Sequence, residues 1–200
     1  MLRFHRLRVS LWNLMRSKNE AAFYLATTFQ SRLLAWLAGV ELGKRSVFYG
    51  NAKFQKSADA KISIGDQCIF RSSPTSNLIG INRPCIITAF KRAQLQIGDS
   101  CGFSGTVLGC FHRITIGDKV RCGANTLITD SDWHEGDPRT SDPRPVVIED
   151  NVWLGVNSIV LKGSKIGRNS VIGAGSIVTG EIPPNVIAAG TPCKVIKTLQ

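Results

Sequence analysis

Residues 148–182 read IEDNVWLGVNSIVLKGSKIGRNSVIGAGSIVTGEI, and an aliphatic side chain returns at every sixth position: Ile148, Leu154, Val160, Ile166, Ile172 and Val178. Four residues after each stands a small or β-branched one, namely Val152, Ser158, Ser164, Ser170, Ser176 and Ile182. Gly155, Gly167 and Gly173 directly follow three of the aliphatics. A period of six fits neither an amphipathic helix, which repeats about every 3.6 residues, nor a strand that alternates at every second one. It fits a short strand plus a sharp turn, three of which close a triangular coil. The aliphatic points inward, the small residue occupies the corner, and Gly or Asn eases the chain through the turn. Each coil buries its apolar edge only by stacking on the next, so these residues are scaffold and the expected fold is an all-β solenoid.

The same frame recurs upstream at Ile116, Cys122 and Ile128, at Ile97 and Phe103, and at Ile64 and Phe70. The tripeptide Ile-Gly-Asp marks its phase at 64–66, 97–99 and 116–118. From Ile116 to Ile148 the step exceeds one coil by fourteen residues, so a loop leaves the prism at about 129–147. Within it lies DSDWHEGDPR at 130–139, rich in titratable groups, and loops on rigid scaffolds carry function. A second irregular stretch, 71–93, interrupts the early coils.

The composition is that of one ordinary globular domain: 200 residues, 43% hydrophobic and 20% charged. That excludes a disordered chain and a membrane bundle. The net charge is +11, of which +6 falls in residues 1–50, and it calls for an anionic partner. Six cysteines without a CxxC pair suit free thiols in a reducing cytoplasm, and no cleavable signal is expected at the N-terminus. Residues 1–45 leave the six-residue frame and form a basic helical extension to a β-helix domain at 46–200. Phe4, Leu7, Leu11, Leu14 and Met15 fall at helical spacing, and a second apolar helix is expected over 21–37, broken at 30–32. Neither reaches the roughly 20 uninterrupted apolar residues of a membrane span. Two readings compete. In one, Phe4, Leu7, Leu11 and Leu14 cap the first coil near Ile62 and Ile64. In the other, the helix rests on an anionic membrane through Arg3, Arg6, Arg8, Arg16 and Lys18. The cap is the preferred reading, with surface attachment as a second use of the outer, charged face.

The run NVWLGVNSIVLKGSKIGRNSVIGAGSIVTGEIPPNVIAAGTPCKVIK at 151–197, with CGANTLITDSDWH at 122–134, resembles the hexapeptide-repeat O-acetyltransferases, among them the maltose, galactoside and polysaccharide acetyltransferases. The resemblance covers about residues 60–197. It implies a left-handed parallel β-helix, a homotrimer, and acetyl-CoA held in the groove between neighbouring prisms, with no metal. It also implies a loop histidine that deprotonates an acceptor hydroxyl for direct attack on the thioester. The residues agree on which histidine. Of His5, His112 and His134, only His134 lies in the expelled loop, and a largely neutral imidazole accepts a proton at pH 7. Asp130 and Asp132 flank it, as candidates for fixing its tautomer or holding a sugar hydroxyl, or as plain turn residues. The family's acceptor-side Asn aligns with Ser104.

For the donor, the resemblance places the backbones of Val156 and Ala174 along the pantetheine arm. Thr179 and Gly180 match a Thr-Lys pair whose lysine is missing here, and Thr191 and Lys194 match positions near the nucleotide. Lys162, Lys165 and Arg168 are candidates to supply the charge lost at Gly180, while Trp153 is read as packing. The implied acceptor is a small-molecule or lipid-linked sugar of surface-polysaccharide or glycolipid biosynthesis, handled in the cytoplasm or at the inner face of the membrane.

Four other readings stand beside this one. A catalytically inactive solenoid scaffold would not need the His134 loop, and an acyltransferase could use another acyl group or an amine acceptor. A zinc enzyme on the same fold needs three histidines around one metal, which the solenoid does not contain. No nucleic-acid partner is expected, because no recognition motif accompanies the charge.

Overall fold

The computed structural model describes the backbone of residues 2–134 and 136–199, with side chains from residue 19 onward. One helix, Leu2–Leu37, is followed by short strands from Glu41–Leu42 to Lys194–Thr198. They form three sheets of seven, eight and six strands, and each strand pairs in parallel with the one a full coil later. Only the terminal pairing of Val186–Ala189 with Lys194–Thr198 is antiparallel among the described residues. The result is the expected triangular β-helix.

Its core is three columns of side chains, one per sheet. The first runs Leu42, Ile64, Ile97, Ile116, Ile148, Ile166, Ile182. The second runs Phe48, Phe70, Phe103, Cys122, Leu154, Ile172, Ala188, and its three phenylalanines stack at centroid distances of 4.7 and 5.0 Å. The third runs Phe54, Ile87, Leu108, Ile128, Val160, Val178. Every frame residue from Ile64 to Val178 is buried. Ile182 is the exception to the sequence reading. It was expected at a corner four residues after Val178, but it stacks under Ile166, because the turn at 179–180 is shorter than those above it.

Each residue of the Ile-Gly-Asp tripeptide has its own physical reason. The isoleucine fills the first column. The glycine has no room for a side chain: a Cβ on Gly98 would lie 2.7 Å from the Gly117 carbonyl carbon of the next coil. The aspartate accepts a main-chain N–H from the coil before it. Asp99 Oδ1 takes that of Asp66 at 2.7 Å, Asp118 that of Asp99 at 2.8 Å, and Asp150 that of Asp118 at 2.8 Å. The next residue turns the corner in the left-handed region, at φ of 57 or 58° for Gln67, Ser100, Lys119 and Asn151. Toward the C-terminus the ladder passes to amides, Asn151 to Asn169 and Asn169 to Asn185.

Five of the six cysteines are buried in the prism. Cys68 and Cys101 occupy the corner column of Val120, Val152 and Ser170. Burial pushes the Cys85 and Cys122 thiols up, which keeps them protonated and inert.

The N-terminal segment departs from expectation in two ways. It is one continuous helix through residues 30–32, with no break, and its capping contact is made by its last turns. Thr27 Oγ1 donates to Phe48 O at 2.9 Å, and the N–H groups of Phe48 and Gly50 donate to the Thr28 and Thr27 hydroxyls. Ser31 Oγ accepts from Ala52 N, and Arg32 reaches the carbonyls of Gly43 and Ser46. The first strand of a parallel sheet would otherwise leave these groups unpaired, an edge open to association. The expected burial of Phe4, Leu7, Leu11 and Leu14 concerns side chains outside the described residues.

The irregular stretch at 71–93 is narrower than its sequence suggested. Ile86–Ala89 is an in-register strand, and the excursion is a loop containing a short 3-10 turn at Pro74–Ser76. Arg83 fastens it to the carbonyls of Gly105 and Asn125.

Close stacking at the glycine corner gives a direct test. Gly98→Ala should lower stability by about 1–3 kcal/mol, the usual cost of forcing atoms into a filled site. Asp99→Ala should cost only about 0.5–1.5 kcal/mol, since water reaches the N–H it abandons. Urea unfolding midpoints in that order support the stacking constraint, and an unchanged midpoint for Gly98→Ala contradicts it.

Candidate active site

The strand Leu127–Thr129 ends at a corner of the prism, and the next strand, Val146–Ile148, begins only after a long loop. Asp130 opens that loop and points inward, fully buried. Its Oδ1 accepts the Phe111 N–H at 2.7 Å, and its Oδ2 accepts those of His112 at 2.8 Å and Arg113 at 2.6 Å. The Arg144 N–H donates to the Asp130 carbonyl at 2.9 Å and closes the neck. Asp130 thus ties the loop's base to the preceding coil and does not line the cavity above it. Burial, and then this carboxylate beside it, pushes the Cys110 thiol up.

Trp133 fixes the next stretch. Its backbone is left-handed at φ 68°, and its indole N–H donates to Thr129 Oγ1 at 2.9 Å. The ring lies over Gly109, where a Cβ would come within 2.2 Å of it. It also meets Phe90 and Phe111 edge-on, at 5.7 and 5.1 Å, and those two rings stack on each other at 4.3 Å. Sequence reading missed this trio. The signal was present: Phe90 and Phe111 each stand three residues past an inward aliphatic, Ile87 and Leu108, and so share a corner column.

Asp132 lies on the other side of the loop in an ion pair with Lys162, whose ammonium also donates to Ser141 O at 2.9 Å and Ser141 Oγ at 2.7 Å. The hydrogen bond from Lys162 holds the Asp132 carboxyl below its usual range. This clamp is intact above the ordinary carboxylate pKa and is lost as pH falls through the lowered one. Lys162, expected as a phosphate ligand, is instead spent inside the loop. Lys165 pairs with Glu149 at 3.6 Å, and Arg168 stands exposed.

Between these two anchors, His134 is exposed at the rim of a cavity of about 470 Å3. The cavity is also lined by Ser131, Asp132, Thr140, Ser141 and Asp142. The loop holds the histidine by its main chain: the His134 carbonyl accepts Thr140 Oγ1 at 3.1 Å and the Asp137 N–H at 3.3 Å. No side chain among the described residues is bonded to the imidazole. The cavity is within the size range of small-molecule sites. No group of three or more His, Cys, Asp or Glu side chains converges as a metal site among the described residues.

The other predicted residues lie elsewhere. Ser104 is buried at the end of the strand Gly102–Ser104, in a different sheet from the one feeding the loop, and does not line the His134 cavity. Val156 and Ala174 sit one coil apart on the edge between the second and third sheets, joined through the Gly175 N–H to the Val156 carbonyl at 2.8 Å. Thr191 belongs to the segment that closes this edge, where Gly190 O accepts the Ile177 N–H and the Cys193 N–H returns to Ile177 O. Lys194 follows on the terminal strand. Thr179 and Gly180 are exposed at the far end of the strand Ile177–Val178, on the corner from which the His134 loop departs. Nothing stands within 4 Å of a Cβ built at Gly180.

Residues 145–180 match the family model of the bacterial transferase hexapeptide (six repeats). The galactoside O-acetyltransferase of Escherichia coli (strain K12) is 43% identical over 97 residues, which are 44% of this chain and 46% of that enzyme. The chain therefore spans about half the length of the curated relatives it matches. A maltose O-acetyltransferase from Clostridium difficile 630 superposes with a TM-score of 0.52 at 25% identity, over 84% of this chain and 74% of that one. An N-acyltransferase from Bacillus cereus, in complex with dTDP and coenzyme A, shares the fold with a TM-score of 0.67 at 18% identity, over 87% and 91% of the two chains. The prism is accordingly the left-handed β-helix of these transferases.

The clamp predicts a separation of loop order from fold stability. Lys162→Ala should make Arg139, inside the loop, markedly more susceptible to trypsin. The thermal midpoint should stay close to that of the wild type, because water screens an ion pair with one exposed partner. Unchanged cleavage would remove the clamp's role.

Proposed function

We propose that this chain, which is similar to the hexapeptide-repeat acetyltransferases, is an acetyl-CoA-dependent O-acetyltransferase acting on a sugar hydroxyl with His134 as general base. The observation that carries this reading is an exposed imidazole at the rim of a cavity, on a loop anchored on both sides. Acetyl-CoA supplies an activated acetyl thioester. His134 takes the proton from the acceptor hydroxyl as its oxygen attacks the thioester carbon, and returns it to the departing thiolate. Trp133 and the Asp132–Lys162 pair act as positioning groups, since misplacing a base by about 1 Å costs on the order of 100-fold in rate.

The donor's long arm suits the edge carrying Val156 and Ala174, with Thr191 and Lys194 near its nucleotide end. Thr179 and the open corner at Gly180 lie on the loop side. This edge separates the two apolar outer faces of the prism. The third sheet turns Lys53 and then Ile86, Val107, Leu127, Ile159 and Ile177 outward in one row, and the second turns Val47, Ile69, Gly102, Arg121, Trp153, Val171 and Ile187, so both are apolar but for one cation each. The first sheet is polar outside, with Lys61, Gln94 and Arg113 in register. Two apolar faces meeting at one edge support a homotrimer in which that edge lines an intersubunit groove. Ser104 would reach the chemistry only across such an interface. Among the described residues no helix is long and apolar enough to cross a membrane. An acceptor that is a soluble or lipid-linked sugar, handled on the cytoplasmic side, fits the donor and the basic N-terminal segment.

His134→Ala should lower kcat by roughly 10²–10⁴-fold with the thermal melt unchanged. Thiol release from acetyl-CoA is the readout, across a panel of sugars, nucleotide sugars and amino sugars. A variant that keeps more than about a tenth of the rate removes His134 as the base. A wild-type protein that neither binds acetyl-CoA nor releases thiol with any acceptor supports the inactive-scaffold reading instead.

Light scattering tests the assembly. The expected mass is three times 21.8 kDa, and an active species at 21.8 kDa would overturn the intersubunit groove.

A further inference from the structure

The helix Leu2–Leu37 has two faces of opposite character in its described part. One carries Thr27, Thr28, Ser31 and Ala35 and is bonded or packed onto the first coil. Diametrically opposite, Leu25, Phe29, Leu33 and Trp36 follow one another at steps of four, four and three, a single stripe at helical spacing. They are 74, 73, 44 and 72% exposed, with Leu37 beside them at 65%. Phe29, Leu33 and Trp36 also wall a groove of about 540 Å3 whose other lining residues are Val40, Leu42 and the charged Arg32 and Glu41. In the sequence the same steps continue back through Ala22, Lys18, Met15, Leu11, Leu7 and Phe4, all apolar but one. A contiguous apolar stripe of this size marks an interaction surface.

Charge selects the occupant. Residues 2–37 hold Arg3, Arg6, Arg8, Arg16, Lys18 and Arg32 against Glu20 alone. Laying a second copy of the helix on this stripe would bring two strongly basic segments together, which like-charge repulsion disfavours. A surface of anionic lipid headgroups attracts these cations, Arg32 apart, which reaches the prism carbonyls of Gly43 and Ser46, and accepts the apolar stripe at its acyl boundary. Trp36, near the helix end, is a residue type enriched at that boundary. Among the described residues no helix is long and apolar enough to cross a bilayer, and an apolar stripe along one side of a helix suits the plane of the interface. We propose that Leu25, Phe29, Leu33 and Trp36 form the lipid-facing stripe of an amphipathic helix that docks the protein on an anionic membrane surface. The cap and the membrane contact are then two faces of one helix, used together. The corner that carries the His134 loop lies three coil steps, about 14 Å along the prism, from the capped end. The proposal rests on the helix alone and stands whether or not His134 is a base.

The test is co-sedimentation of the full-length protein with vesicles. Wild type should pellet with phosphatidylglycerol-containing vesicles at low salt, much less at high salt, and little with pure phosphatidylcholine. Phe29→Glu with Trp36→Glu should weaken binding at least tenfold while leaving the thermal melt and the light-scattering mass unchanged. Should that variant misfold, Arg3, Arg6 and Arg8→Gln together should remove the salt-sensitive part of the binding. Failure of wild type to pellet with anionic vesicles, or full binding by the glutamate variant, overturns the proposal. So does a variant whose assembly mass falls while vesicle binding never existed, which would assign the stripe to another copy of the chain.

Discussion

Every strand of the prism is governed by the distance between one coil and the next. Parallel strands stand about 4.8 Å apart, so each residue sits directly on its counterpart a turn earlier. Where the main chains touch at a corner, no side chain fits, and Gly65, Gly98 and Gly117 occur in successive coils for that reason. Where a turn leaves an N–H without an intracoil partner, an aspartate from the following coil supplies the acceptor. Inside, like stacks on like: three phenylalanines in one column, isoleucines in another. The fold is a chain of nearest-neighbour agreements, and its stability accrues coil by coil.

That rigidity is what lets one loop be held so firmly. The His134 loop is pinned at its neck by a buried carboxylate bonded to three main-chain N–H groups of the coil before it. An indole laid over Gly109 fixes one side, and a lysine from the coil after it fixes the other. All three anchors draw on neighbouring coils at one corner. Among the described residues, none of these anchors engages the histidine side chain, which stands at the rim of the cavity.

The solenoid's weak point is its end, where stacking stops. Three hydroxyls on the helix, Thr27, Thr28 and Ser31, stand in for the missing preceding coil by pairing with the first strands. Small polar residues suit this role because they let the helix approach while offering both donor and acceptor. The large apolar residues of the same segment are therefore free to face away from the prism.

The sequence by itself determined the prism. A constraint repeated at fixed spacing leaves a periodic trace, so Ile148 to Val178 and the Ile-Gly-Asp phase markers could be read without any knowledge of contacts. The loop at 129–147 and the singular position of His134 were legible as interruptions of that period. What the period could not carry, only the tertiary structure decided. Asp130 was open to reading as a partner of His134, a ligand for a sugar hydroxyl or a plain turn residue, and it is engaged by the 111–113 main chain, because an aspartate's partners across a turn leave no mark in its own neighbourhood. Lys162 looked free and belongs to Asp132, thirty residues away across one coil. The helix pattern gave two faces, but which one meets the prism depended on hydroxyls matching the unpaired groups of the first strands. Periodic contacts are written in the chain because each coil repeats them; single contacts between distant residues are made once, and exist only when the chain is folded.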